Sequence, residues 1–336
     1  MKHDDGAVEV AARVDAELFS YLSAARGALA EGAPLITEIE TLIGAGGKRL
    51  RPAFCYWGYR AGGGEDGAPI WRVAASLELL HTFALVHDDV MDGAELRRGA
   101  PTVHARRGVD VAILVGNLAL VLADSAFLES GFPSGPLLEA FRVYSRMRRE
   151  VIAGQYLDLL LSREDSVSEE EARRVAVLKS GRYSVAEPLS IGAVLAGTPN
   201  EIVDGLFAFG EYVGEAFQLR DDLLGLFGDE ELTGKPADSD VRGGKKHVLF
   251  AKTVAALEEP DRARFLSRWG GGEELSPADV GAVRGLVERS GAREATEKLA
   301  SDLVARALEA LAALDIAGDA RDALADLALG AAARSR

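Results

Sequence analysis

The sequence predicts an all-α protein, and three observations carry that prediction. Apolar residues recur every three or four positions along most of the chain, the period of a helix face. Several such stretches, residues 70–92 and 201–227 among them, run far longer than ordinary strands. No alternating apolar and polar pattern persists anywhere, no repeat is evident, and Gly- and Pro-rich segments punctuate the helices.

The first helix is marked by Val8, Val10, Val14, Leu18 and Leu22, spaced for one buried face. A short helix follows Pro34. GAGGKRLRP, residues 44–52, then breaks the pattern: glycines before a Lys-Arg-Leu-Arg cluster suit a turn feeding a helix start, where N–H groups and bases can meet an anion. GGGEDGAP at 62–69 reads as a loop, and Ile70 to Asp92 as one long helix, apolar on most sides and therefore central. Val109–Ser130 and Pro136–Leu161 give two more helices around GFPSG. The second carries Gln155 and Asp158 among apolar neighbours, where they need partners or a polar site. An acidic helix start at Ser168 leads into a helix reaching Lys179-Ser180-Gly181. A long helix at about 201–227 ends in FQLRDDLLGLFGD. The polar loop 229–248 has the length and composition of a lid, and residues 248–334 read as packing helices.

Composition narrows the function. A net charge of −15 argues against a nucleic-acid partner, which would need a basic surface. Cys55 is the only cysteine, so no intrachain disulfide forms. The acidic start MKHDDGAVEV lacks the pattern of an export signal, so a cytoplasmic location is expected. The longest apolar run, Val111–Ala123, falls short of the roughly 20 residues that span a bilayer and is read as a buried helix. No membrane span is expected.

The chemistry concentrates in HTFALVHDDVMDGAELRRG, which begins at His81. Asp88 and Asp92, four apart, project from one helix face about one turn apart, with Asp89 on an adjacent face. Three carboxylates this close need a cation, and oxygen-only donors favour Mg²⁺ or Mn²⁺ over Zn²⁺. Arg97 and Arg98 offer guanidinium forks for phosphate. His81, seven residues before Asp88, lies near the same face. A second acidic pair, Asp221 and Asp222, ends another long helix, where the macrodipole disfavours carboxylates and a compensating cation is expected. Further bases are Lys48 with Arg51, Lys179, and Lys235 with Lys245. Convergence of these groups at one bundle mouth would hold a diphosphate on metal and a second anion on bases alone, above a hydrocarbon wall.

In order, GGKRLRP, HTFALVHDDVMD with RRG, GQYLD, KSGRY, and FQLRDD with GKP and a later GK resemble the trans-isoprenyl diphosphate synthase (polyprenyl synthetase) family, geranylgeranyl diphosphate synthases in particular. The match covers roughly residues 40–250. The resemblance implies the isoprenoid synthase fold, a single large helical bundle around a deep central cavity. It implies one domain over 1–336, with residues 1–7 and 331–336 as flexible tails, and a homodimer. The implied reaction condenses isopentenyl diphosphate with an allylic diphosphate by ionisation, condensation and elimination, using Mg²⁺, three ions per site, or Mn²⁺ in its place. Carried over by motif, Lys48, Arg51, His81 and Arg98 hold isopentenyl diphosphate. Arg97, Lys179 and Lys235 bind the allylic diphosphate, with Lys245 nearby. Asp88, Asp92 and Asp221 ligate metal, with Asp89, Asp222 and Asp240 behind them. Gln155 and Gln218 line the reacting end, and Ser180 stands where the family commonly has Thr. Asp88, Asp92, Asp221, Lys179 and Gln218 are thus the candidate catalytic residues.

The chain departs from the pattern in three places. Gly225 replaces a third Asp in the second acidic motif and removes the four-apart partner of Asp221, so weakened or rearranged metal binding is expected, with the third metal leaning on water or Asp240. His247 replaces a common Thr, and Asn117 a common Asp. Phe83 lies about 7.5 Å deeper on the helix than Asp88, with small Ala84 between. In the family, one aromatic at that depth, with no insertion in DDVMD, resembles synthases that stop at twenty carbons. Farnesyl or longer products are the next alternatives. A class I terpene cyclase shares the fold but needs no isopentenyl pocket, and a non-catalytic partner subunit tends to lose its acidic motifs; both fit less well.

Overall fold

The computed structural model describes residues 4–228, 238–271 and 275–332. The described chain is helical almost throughout, as predicted: α1 (Asp4–Ala28), α2 (Ala33–Gly44), α3 (Leu50–Ala61), α4 (Ala68–Asp92), α5 (Val103–Arg107), α6 (Val109–Leu128), α7 (Ser134–Leu161), α8 (Glu169–Val175), a π-helical segment (Ala176–Ala186), α9 (Glu187–Leu195), α10 (Asn200–Phe227), α11 (Ser239–Arg242), α12 (Val248–Ala256), α13 (Asp261–Leu266), α14 (Pro277–Arg289), α15 (Ala292–Ala312) and α16 (Gly318–Ala332). Helix already covers residues 4–7 and 331–332, inside the expected tails. One strand pair interrupts the pattern: β1 (Leu96–Arg97) and β2 (Ala100–Pro101), antiparallel.

Local chemistry sets the ends that matter. Proline in the first turn opens α4, and Gly93, at φ 63°, closes it directly after Asp92. Ser168 and Glu171 form a reciprocal capping box on α8, as the serine and the acidic first turn suggested.

The helices fall into two compact units. The first comprises Met1–Tyr144, Pro188–Asp204 and Asp315–Leu324. Its axis is α4, packed against α1, α3 and α6, with Val73, Ala74, Leu77, Leu79, Leu80 and Val86 almost fully buried. Each such Val or Leu contributes about 1.5–3 kcal/mol by leaving water. The second comprises Ser145–Glu187, Gly205–Leu314 and Ala325–Arg336. In one of its cores Leu223 and Leu226 of α10 meet Val241, Leu249, Phe250, Phe265 and Trp269. In another, Ala216 and Leu219 meet Val248, Ala300 and Leu303.

Helix α6 corrects one expectation. Its Ala112, Val115, Ala119, Ala123 and Ala126 are buried, and α4 is its principal neighbour. Ile113, Leu114, Val121 and Leu128 are 42–58% exposed. The hydropathy of this helix reflects two apolar faces, of which only one is buried within the chain. It is also the one described helix long and apolar enough to cross a membrane.

Candidate active site

In the first unit the bases of two motifs meet. A two-residue turn joins β1 to β2, and both turn residues, Arg98 (φ 54°) and Gly99 (φ 74°), are left-handed, as a tight hairpin requires. Gly99 tolerates this freely; Arg98 does so at a cost, a pattern that marks functional positions. The turn folds the arginine back onto the GGKRLR segment. A side chain at Gly47 would lie 3.1 Å from Arg98 Nη2 and 2.9 Å from Arg49 Nη1, so the bare backbone there makes room for two guanidiniums.

His81 sits at the centre of this cluster. Burial, and then the positive charges of Arg51, Arg98, Arg97 and Arg49, hold its imidazole well below the usual histidine range. It is therefore neutral at pH 7, a hydrogen-bonding group amid cations. Lys48 is exposed at the rim and Arg51 half-buried. Guanidiniums converging around a neutral imidazole form a site for an anion with several oxygens.

Two turns of helix beyond His81 lies the first acidic motif. Asp89 is buried, whereas Asp88 is 24% exposed at its side chain and Asp92 is exposed. The helical period thus separates the three as expected, with Asp89 turned inward. Burial raises the Asp89 carboxyl above its usual range, opposed by Arg97. Arg97 grips Asp89 with Nε at 2.8 and 2.9 Å and Nη2 at 2.6 Å, and reaches Asp88 Oδ2 at 3.7 Å. The cation that the carboxylates required is thus partly supplied by the chain. Deeper on α4, Phe83 packs edge-on against His87, ring centroids 4.7 Å apart, and the His87 ring sits 3.3 Å from the Ile113 carbonyl of α6. Ala84 is half-buried beside it.

Sequence reading missed Arg49. It is 4% exposed and left-handed (φ 48°). It donates to Asp15 at 2.7 Å, to Glu78 at 2.8 Å and to the Ile43 carbonyl at 2.8 Å. It pins the loop that carries Lys48 and opens α3, on whose first turn Arg51 lies, to α4, one turn before His81. The only signal was a glutamate, Glu78, at a position where α4 is otherwise apolar.

The second unit holds the other motifs. Lys179 pairs with Asp158 at 2.6 Å, which answers where Asp158 finds its partner. Lys179 and Ser180 lie on the π-helical segment rather than on the ordinary helix expected, and such widened turns recur at functional sites. The segment runs tight against α7: a Cβ at Gly154 would meet Lys179 N at 2.6 Å. Gln155, half-buried, is on the same helix.

On α10, Gln218 donates to Asp222 Oδ1 at 2.8 Å. Asp221 is exposed, while Asp222 is 3% exposed, and its Oδ2 has no hydrogen-bond partner among the described residues. Burial pushes Asp222 up to about 6, with His247 opposing and Asp240 and Asp221 adding to the shift. The hydrogen bond from Gln218 and the neighbouring His247 offset burial only in part. Lys245 is fixed by its backbone: its N–H donates to Asp240 O at 3.0 Å and its carbonyl accepts from Trp269 Nε1 at 3.1 Å. Lys235, and most of the expected lid, lie outside the described residues.

Among the described residues, no three ligand side chains converge closely enough to hold an ion by themselves. The exposed oxygens on α4 and, separately, those on α10 with the buried oxygen of Asp222 that lacks a hydrogen-bond partner among the described residues each suit Mg²⁺, which binds through one or two carboxylates and completes its shell with water and phosphate.

Guanidiniums that can hold an anion without metal, beside carboxylates that suit Mg²⁺, fit a helical enzyme acting on diphosphates. The chain belongs to the polyprenyl synthetase family, which residues 34–284 match, and is a prenyltransferase. The family works with divalent metal ions. The chain is 37% identical over 294 residues to a short chain isoprenyl diphosphate synthase of Methanothermobacter thermautotrophicus, covering 88% of each. It is 37% identical over 251 residues to a geranylgeranyl diphosphate synthase of Sulfolobus acidocaldarius, covering 71% of this chain and 74% of that one. Its fold matches a geranylgeranyl pyrophosphate synthase of Corynebacterium glutamicum, solved with isoprenyl diphosphate and magnesium, at TM-score 0.92 and 33% identity over 97% and 99% of the two chains. Relatives named farnesyl and geranylfarnesyl diphosphate synthase match at 36% identity, so kinship alone leaves product length open.

Proposed function

We propose that the chain makes geranylgeranyl diphosphate by adding isopentenyl diphosphate to dimethylallyl, geranyl or farnesyl diphosphate, as a single domain. The observation that carries the two-substrate reading is the arginine nest around neutral His81, which needs no metal to hold an anion. Lys48, Arg51, Arg98 and His81 seat isopentenyl diphosphate there. In this reading Arg97, Lys179 and Lys235 bind the allylic diphosphate, with Lys245 nearby, and Arg97 and Lys179 exchange part of their carboxylate pairing for phosphate. Mg²⁺, three ions in this reading, neutralises the departing diphosphate when held by Asp88, Asp92 and Asp221. Asp89 keeps Arg97 aimed, and Gln155 and Gln218 border the reacting carbons. The protein's remaining task is to exclude water from the allylic cation, and the proton lost at elimination passes to the leaving diphosphate.

Product length rests on Phe83. Its ring, braced by His87, closes the hydrocarbon space about 7.5 Å below Asp88. With Mg²⁺, labelled isopentenyl diphosphate and each allylic diphosphate, the wild type yields a C20 product; absence of any elongation would overturn the enzyme reading. Phe83→Ala shifts the products beyond C20, and an unchanged spectrum would place the limit elsewhere.

The same reading includes a homodimer through the exposed α6 face, where Ile113, Leu114, Val121 and Leu128 follow one helical stripe, with exposed Asn117 on it. Sedimentation should give twice the chain mass, and Val121→Glu the chain mass alone. A monomeric wild type would remove the dimer. A cytoplasmic setting is proposed on the buried, free thiol of Cys55, and cell fractionation checks it.

A further inference from the structure

The missing acid of the second motif leaves a specific hole, and another acid fills it. Gly225 lies one turn beyond Asp221 on α10, so a side chain there would share its face. A Cβ built at Gly225 would fall on Oδ2 of Asp240 and lie 2.9 Å from its Cγ. The carboxylate of Asp240 therefore stands where the third acid of the motif would begin.

Asp240 is held there by its neighbours. Val241 beside it is fully buried in the core that contains Leu223 and Leu226 of α10. Its carbonyl accepts from Gly270 N–H at 2.7 Å, and Asp240's own carbonyl accepts from Lys245 N–H at 3.0 Å. The other departure from the family pattern meets the same group. His247 Nδ1 accepts from Phe250 N–H at 3.2 Å, capping α12, so the ring proton resides on Nε2, 3.8 Å from Asp240 Oδ2. Asp222, next to Asp221, adds a buried oxygen with no hydrogen-bond partner among the described residues.

We propose that Asp240 supplies through space the third carboxylate of the second acidic motif, and that Gly225 is side-chain-free because that carboxylate occupies its place. The metal-binding edge of α10 is then built from Asp221 on the helix and Asp240 on α11, with His247 Nε2 lying 3.8 Å from the transplanted acid. This rests on the prenyltransferase reading of the site.

The test transposes the acid back. Wild type, Asp240→Asn, Gly225→Asp and the double variant Gly225→Asp/Asp240→Gly are titrated with Mg²⁺ in the presence of inorganic pyrophosphate. The readout is the rise in melting temperature. Asp240→Asn, nearly isosteric, raises the half-saturating Mg²⁺ concentration by about tenfold or more. Gly225→Asp, with two carboxylates crowded into one space, lowers the Mg²⁺-free melting temperature, and the double variant returns both quantities to within about threefold and a few degrees of wild type. An unchanged midpoint in Asp240→Asn overturns the proposal, as does a Gly225→Asp variant that melts like wild type. Asp240→Asn decides the matter even where the double variant does not fold. Because pyrophosphate and metal suffice, a failure here is separable from a failure of the wild type to elongate a prenyl chain.

Discussion

Asp88→Ala lowers turnover about a thousandfold while the protein keeps its helix content and melting temperature. The electrostatics of α4 explain why both halves hold. Asp88 sits in the last turn of the helix, where the macrodipole opposes negative charge, and it adds to the repulsion on Asp89. Its contact with Arg97 is long, 3.7 Å, whereas Arg97 keeps its short bonds to Asp89. Removing the Asp88 carboxylate therefore leaves the short Arg97–Asp89 bonds in place and relieves the repulsion on Asp89. The reaction pays instead, since a group aimed at charge developing on a leaving diphosphate is typically worth two to three orders of magnitude. Steady-state kinetics and circular-dichroism melts on the same preparation check the pair. A variant with near-normal turnover would refute the metal assignment, and one that is inactive but unfolded would refute the account of α4.

How much of this was legible in the sequence depended on range. Long helices, the loops around 46–47 and 62–67, and the acidic face of α4 follow from period and punctuation, which are local. The arginine nest was legible as motifs, but its geometry was not. Arg98 reaches the GGKRLR segment through a left-handed turn and the empty space at Gly47, and neither follows from spacing. Hydropathy placed α6 in the interior because it counts apolar residues without knowing which face meets α4. The π-helical turn at Lys179 has no dependable signature in sequence, since it is stabilised by tertiary contacts such as the close approach of Gly154. At Gly225 the sequence left water or Asp240 as the replacement, and the choice between them needs the coordinates, which bring the Asp240 carboxylate to the place of a Cβ.

Arg49→Leu lowers the melting temperature by on the order of 5 °C, because it strands Glu78, a carboxylate with a 6% exposed side chain, without its cation. Breaking one side of a buried pair costs about 3–5 kcal/mol, and a chain of this size loses roughly 1.5 °C for each kcal/mol. Glu78→Gln on the Arg49→Leu background restores part of that loss by removing the buried charge, although the amide still lacks its partner. Stability alone would make Arg49 a strut. Its wider role shows in kinetics, because its three bonds also fix the backbone from which Lys48 and Arg51 project. Arg49→Lys keeps the charge but not the fork that spans Asp15, Glu78 and the Ile43 carbonyl. In that variant KM for isopentenyl diphosphate rises about tenfold, while KM for the allylic diphosphate and kcat stay near wild type. Equal rises in both KM values would mean that the loop does not serve one substrate in particular. An unchanged KM beside a lowered melting temperature would confine Arg49 to holding the fold.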